Sequence, residues 1–311
     1  MHFRRLLLLG LVPLLPAAVL VARGAAPSAP RPLRIATWNL EWLLDPATAQ
    51  AARAACRDGL ASRLPCDVAA QLARDSADLA HLAAYARALD ADVIAFQEVE
   101  NEAIARRVFR GYRICLRGGA GLQQVGFAIR ASLQAECGAP LATLALGGQA
   151  RAGQQLHLAV PGAGTIDLLA VHLKSGCAHE ALPGNSDACR LLAAQARVLG
   201  EWIAAQAARQ GRFVVLGDFN RGGTPDHADG FWEWLQPASF QASSSVLRFA
   251  NCSWGAPYRE FIDHILISNA LLSRLPSSPY RQQVFRSSDA AHYLLSDHCP
   301  LMVSLNAPTA L

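Results

Sequence analysis

The stretch "RFVVLGDFNR", residues 212–221, decides how the rest of the chain is read. Phe213, Val214, Val215 and Leu216 make a short continuous apolar run, the pattern of a strand covered on both faces. Gly217, Asp218, Phe219 and Asn220 follow at once. A carboxylate carried to the end of a buried strand is expensive unless it is paired or holds a cation.

Five other apolar segments end the same way. Residues 33–40, "LRIATWNL", lead to Asn39 and Glu41. The run in "ADVIAFQEVE" (91–100) leads to Gln97 and Glu98. "TIDLLAVHLKSG" (165–176) carries His172 and Lys174. Asp263 and His264 interrupt "FIDHILIS" (261–268), and Asp297 and His298 open "SDHCPLMVSL" (296–305). Each residue alone has an ordinary explanation: Asn39 as a turn residue, Glu98 as a helix-start acid, His172 as a satisfied core histidine, Asp297 as a cap. Six together predict one polar pocket at the convergent ends of strands.

The side chains in that set define the chemistry. No GxSxG elbow and no GxxxxGK[ST] phosphate loop is present. There is no CxxC and no zinc-finger spacing. Oxygen ligands without thiolates suit a hard cation, Mg²⁺ or else Mn²⁺ or Ca²⁺. Such a cation polarises a phosphoryl oxygen while a histidine or carboxylate activates water. Phosphoester hydrolysis is the expectation.

Helices punctuate the strands. Leu72, Leu79, Leu82 and Leu89 fall at helical spacing and predict a helix across 67–89. Residues 187–209 predict another, with Leu191, Leu192, Ala196, Leu199, Trp202 and Ile203 apolar. "GYRICLRGGAGLQQVGFAIR" (111–130) and the stretch 154–176 each read as two strands around a glycine-bearing turn. Residues 45–66 read as a disulfide-tied excursion. The pattern predicts an α/β sandwich with mixed or antiparallel sheets inside and helices outside.

The blocks "TWNLEWL", "DVIAFQEVE", "VHLKSG", "GDFN", "IDHILIS" and "SDHCPL", in that order, resemble the endonuclease/exonuclease/phosphatase superfamily over about residues 33–306. Secreted bacterial deoxyribonuclease-like members are the most similar in look. The resemblance implies a four-layer α/β sandwich with two central sheets packed face to face. It implies Glu98 as principal metal ligand, with Asn39 near the metal or its water, and Glu41 and Asp297 as further metal-side groups. His172 would contact the scissile phosphate, and Asn39 would help bind substrate. Asp218 and Asn220 would hold the attacking water, and Asp263 would orient His298. Asp218 and His298 both stand as candidates for the general base. In the deoxyribonuclease branch the histidine matching His172 pairs with a glutamate. Here Gln123 and Gln124 stand in that stretch, and a neutral amide does not raise a histidine's pKa. Lys174, the one lysine of the chain, is then the expected source of positive charge.

By that resemblance a nuclease acting on DNA or RNA is expected. The alternatives are a phosphoesterase on small or lipid substrates, and a secreted binding module without activity. Arg130, Arg151, Arg221 and Arg259 are candidate phosphate contacts, with Trp254 and Tyr258 for stacking.

Residues 1–26 have a basic start, an apolar run from Leu6 to Leu20 and a small-residue close, the layout of a cleaved secretory signal. The run carries Pro13 and Pro16 and is short for a membrane span. A secreted or periplasmic protein spanning 27–311, with no stable membrane anchor, is the expectation. Of the 28 basic residues, three lie in 1–26, so 25 face 24 acids in the remainder. Nucleic-acid binding must then come from local placement of charge. Export together with eight cysteines predicts disulfides. Short spacing favours Cys56–Cys66 and Cys177–Cys189, and elimination leaves Cys115–Cys137 and Cys252–Cys299.

Overall fold

In the computed structural model, residues 31–117, 119, 121–162, 164–224, 230–247 and 261–307 are described. The expected signal segment, Cys252, Trp254, Tyr258 and Arg259 lie outside the described residues. Residues Arg31–Leu311 make one compact unit.

The chain order is β1 (Leu33–Leu43), α1 (Pro46–Arg57), α2 (Cys66–Gln71), α3 (Ser76–Leu89), β2 (Val93–Val99), α4 (Glu102–Val108), β3 (Tyr112–Cys115) and β4 (Gln124–Arg130). It continues with β5 (Ala135–Leu141), β6 (Gly153–Val160), β7 (Gly164–His172), α5 (Asp187–Ala208), β8 (Phe213–Asp218) and α6 (Gly230–Trp234). Then come β9 (Phe240–Ala242), β10 (Asp263–Ser268), β11 (Tyr280–Gln282), α7 (Ser287–His292) and β12 (Leu301–Leu305).

Two six-stranded sheets result, ordered β11-β12-β1-β2-β4-β3 and β5-β6-β7-β8-β10-β9. Each holds one parallel pair, β1 with β2 and β7 with β8, and the other pairings are antiparallel. Ile35, Val93, Phe127 and Val303 of the first sheet pack against Leu168, Val214, Leu216 and Ile265 of the second. The outer face of the first sheet is covered by Leu79, Leu82 and Leu89 of α3 with Ile104 and Val108 of α4. Leu192, Ala196, Leu199 and Ile203 of α5 cover the outer face of the second. These are the four layers expected. Strands covered on both sides need continuous apolar runs, which is why "FVVL" and "VIAF" do not alternate.

Three details differ from the sequence reading. The helix expected over 67–89 is two helices, because Asp75 caps α3 through Ala77 N and Asp78 N and Asp78 closes a capping box. That cap breaks the run at Leu72–Asp75. The excursion after β1 contains α1 and α2, tied by Cys56–Cys66. It packs Leu44, Ala49, Ala52, Leu64 and Ala69 into a small separate core with Leu122. The edge strand β5 was not expected, since Glu136 and Gly138 interrupt its pattern. Cys115–Cys137 and Cys177–Cys189 are bonded as expected. Cys299 is disulfide-bonded too, and its expected partner is outside the described residues.

Candidate active site

The parallel pairs decide where the polar strand ends go. Asn39 pairs with Gln97, which places Glu98 beside the end of β1. His172 pairs with Asp218 across β7 and β8, and Asp263 pairs with Asp218 from β10. Both sheets thus deliver their polar ends to one edge of the sandwich.

Gly217 explains how β8 approaches β7 so closely. Its φ is +150°, and a Cβ there would lie 1.9 Å from the Val171 carbonyl oxygen. Glu98, Asn220, Glu41 and Trp42 also adopt positive φ, at 60°, 51°, 45° and 52°. Such residues are strained, and strain of this kind gathers at functional sites.

Asn39 is fully buried and joins the two sheets. Its Nδ2 donates to Glu98 Oε1 at 3.1 Å and to Asp218 Oδ2 at 2.9 Å. Its Oδ1 accepts from Glu41 N at 2.9 Å. Glu98 Oε2 accepts from Trp42 N at 3.0 Å. Asn220 donates to Asp218 through its backbone N–H (2.8 Å) and its amide (3.2 Å), and also to Leu173 O at 3.1 Å. His172 Nε2 lies 3.6 Å from Glu98 Oε1 and 3.5 Å from Asp218 Oδ2. His298 Nδ1 meets Asp263 Oδ2 at 2.7 Å, and its Nε2 lies 3.9 Å from Asp218 Oδ2 and 3.7 Å from Asp297 Oδ1.

Seven of the expected residues therefore surround one point: Asn39, Glu98, His172, Asp218, Asn220, Asp263 and His298. Glu41 and Asp297 occupy the rim. Glu41 Oε2 accepts from Asp297 N at 3.0 Å and lies 3.7 Å from Arg74 Nη2. Lys174 is half-buried just past His172, and its backbone N–H donates to Gln195 Oε1 at 2.7 Å.

The groove arginines divide. Arg130 is bound to Asp90 and Asp92 at the opposite end of β2, so it does not face the site. Arg221 is buried and donates to Cys177 O and Glu180 O, a structural role. Arg151 is the one beside the centre: its charge acts on Glu98, Asp218 and His172, and it donates to Gln123 Oε1. Sequence reasoning did not single out Arg74, Trp42 or Ser296. Ser296 Oγ donates to Asn39 O at 2.7 Å and accepts from His298 N at 3.1 Å. Its place beside Asp297 and His298 in "SDHCPL" was the available signal.

Charge is badly balanced here. Burial, with the Asp263 charge added, pushes Asp218 up to about 7, although His298 opposes. Burial and then Asp297 push Glu41 up to about 7, against Arg74. His172 is held well below its ordinary value by burial, then by Arg151, His298 and Lys174. Burial works against the His298 imidazolium, but the charge and hydrogen bond of Asp263, with Asp218 and Asp297, carry its pKa well above the ordinary value.

A divalent cation fits this donor set. Glu98, His172 and Asp218 each offer one ligand atom, all within 4.8 Å of one another. Crowded carboxylates that would otherwise take up protons are what such an ion relieves.

Residues 36–298 match the Endonuclease/Exonuclease/phosphatase family. The chain belongs to that family, a class of divalent-metal-dependent phosphoester hydrolases. An AP endonuclease from Archaeoglobus fulgidus has a similar fold: TM-score 0.55, 14% identity, 88% of this chain and 100% of that one. Truncated Caenorhabditis elegans TDP2 gives 0.54 and 14%, over 89% and 98% of the two chains. The 3'-5' exonuclease NExo from Neisseria meningitidis gives 0.52 and 18%, over 88% and 100%. No curated protein sequence matches the chain.

Proposed function

We propose that the chain is an exported nuclease that hydrolyses DNA phosphodiester bonds by in-line attack of water. The observation that carries the reading is the convergence of Glu98, Asn39, His172, Asp218 and the Asp263–His298 pair at one edge of the sandwich. The names of the similar structures, an AP endonuclease and a 3'-5' exonuclease, support nucleic acid as substrate.

Glu98 would hold the cation, Mg²⁺ in the first instance, with Asn39 and His172 beside it, and Glu41 and Asp297 would add negative charge at the rim. The bound ion supplies Lewis-acid polarisation of a phosphoryl oxygen. Asn39 and Asn220 fix Asp218 by three donated hydrogen bonds. Fixed by those donors and facing His298, Asp218 is the general base of this reading. His298, held as an imidazolium, faces the same space and stabilises charge growing on the phosphoryl oxygens. His172 is neutral, so it offers a hydrogen bond and no charge. Lys174 and Arg151 supply the positive charge that binds the phosphate.

The assay is direct. Purified protein with plasmid DNA and Mg²⁺ nicks or degrades it, and EDTA stops the reaction. If DNA and RNA survive while bis-p-nitrophenyl phosphate is cleaved, the substrate is a small phosphoester. If no phosphoester is cleaved with any divalent ion, the chain is a binding module.

Export rests on the layout of residues 1–26 and on the cystines, which persist in oxidising surroundings. Among the described residues no helix is long and apolar enough to cross a membrane. N-terminal sequencing of the mature protein, starting near residue 27, tests it.

A further inference from the structure

Arg74 lies in the short link between α2 and α3, and only 2% of its side chain is exposed. Its Nη1 donates to Glu41 O at 2.8 Å and to Trp42 O at 3.2 Å. Its Nε donates to Leu294 O at 2.9 Å and to Leu295 O at 3.2 Å, and Nη2 reaches Leu295 O as well. One planar guanidinium thus joins the end of β1 to the segment that leads into Ser296, Asp297 and His298. Asp78, four residues on, holds the same segment by accepting from Leu294 N at 2.9 Å.

What these carbonyls belong to matters. Glu41 and Trp42 both sit at positive φ, a conformation that costs free energy and needs outside support. In that conformation Trp42 aims its N–H at Glu98 Oε2, 3.0 Å away. Glu41 in turn accepts from Asp297 N at 3.0 Å. The turn that orients Glu98 and the turn that carries His298 are therefore both braced from behind by one side chain.

We propose that Arg74 is a positioning residue: it sets the ion-facing carboxylate of Glu98 and the place of the Asp297–His298 turn by clamping the carbonyls of Glu41, Trp42, Leu294 and Leu295. It touches neither substrate nor reacting atoms. This rests on the divalent-ion reading of Glu98. Outer supports of a metal ligand are typically worth about 10- to 100-fold in affinity or activity. Lysine cannot replace the arginine, because a single ammonium lacks the planar fork that spans two chain segments.

The experiment compares wild type, Arg74→Lys and Arg74→Met, each well below its own melting temperature. Mn²⁺ binding is followed by titration calorimetry, and turnover with bis-p-nitrophenyl phosphate. Arg74→Lys is expected to bind Mn²⁺ at least about tenfold more weakly and to lose kcat with little change in KM. Arg74→Met is expected to lose more. Arg74→Lys with wild-type Mn²⁺ affinity and kcat overturns the proposal, as does a rise confined to KM. If Arg74→Met fails to fold, Arg74→Lys alone decides. A wild type that binds no Mn²⁺ sinks the divalent-ion reading and this inference with it. A wild type that binds while Arg74→Lys binds equally well sinks this inference alone.

Discussion

Asp263 Oδ2 lies 2.7 Å from His298 Nδ1, while the other oxygen of Asp263 is buried with no partner. The carboxylate is thus committed to one imidazole and fixes both its orientation and its charge. Burial disfavours the imidazolium, and Asp263 is the largest influence that overrides it. Asp263→Asn removes that influence, so the His298 pKa falls. The sign for stability follows. A histidine raised by folding stabilises fully below its unfolded pKa, near 6.5, and the contribution fades as pH rises through the higher folded value. In metal-free protein the wild type's advantage over Asp263→Asn is therefore largest at acid pH. Imidazole titration by NMR checks the pKa, and kcat/KM is expected to fall at least about 10²-fold. An unchanged His298 titration would refute the pairing.

On the proposed reading, ion binding depends on Glu98. An ion that binds only the folded state at about 100 times its Kd adds about 2.7 kcal/mol of stability. Mg²⁺ is expected to raise the melting temperature of the wild type, and Glu98→Gln to abolish the rise. A Glu98→Gln protein that still responds to Mg²⁺ would move the ion elsewhere.

Gly217 is what lets β8 lie so close to β7. Alanine there meets both a forbidden φ and the Val171 carbonyl oxygen at 1.9 Å. Strain and overpacking each cost about 1–3 kcal/mol. Gly217→Ala is expected to destabilise by at least about 3 kcal/mol in denaturant unfolding. A loss well under that would show that β7 and β8 can separate without consequence.

His264 gives a pH dependence that comes from burial. It is fully buried, its Nδ1 has no partner, and burial lowers its pKa to about 4 despite the hydrogen bond to Arg221 O and the Asp263 charge. The unfolded chain therefore takes up a proton between pH 6.5 and about 4 that the fold refuses. Stability falls as pH drops through that window, by about 3 kcal/mol in all. The free energy of His264→Gln in metal-free protein is expected to have a shallower slope there. Parallel slopes would reject the assignment.

The site was legible because the strands that carry it are covered on both faces. An uninterrupted apolar run followed by Asp218, Glu98 or His172 is conspicuous against sequence alone. Arg74 was invisible for the opposite reason. Its partners are backbone carbonyls more than 30 and 200 residues away, and carbonyls leave no mark in a sequence. Trp42 acts through its N–H, which any residue but proline would provide. Strand order could not be read either, since β12 pairs with β1 across nearly the whole chain. The alanine-rich α1 and α2 bury only Ala49, Ala52 and Ala69, so no large apolar positions marked them as helices in the sequence.

Asn39 and Glu98 come from one sheet, and His172, Asp218 and Asp263 from the other. Neither half of the molecule owns a working set of groups. The groups that would hold the ion and activate water therefore meet only when the two sheets are packed face to face. Loosening one sheet against the other is accordingly expected to cost turnover through the Asn39–Asp218 contact, with strand pairing inside each sheet intact.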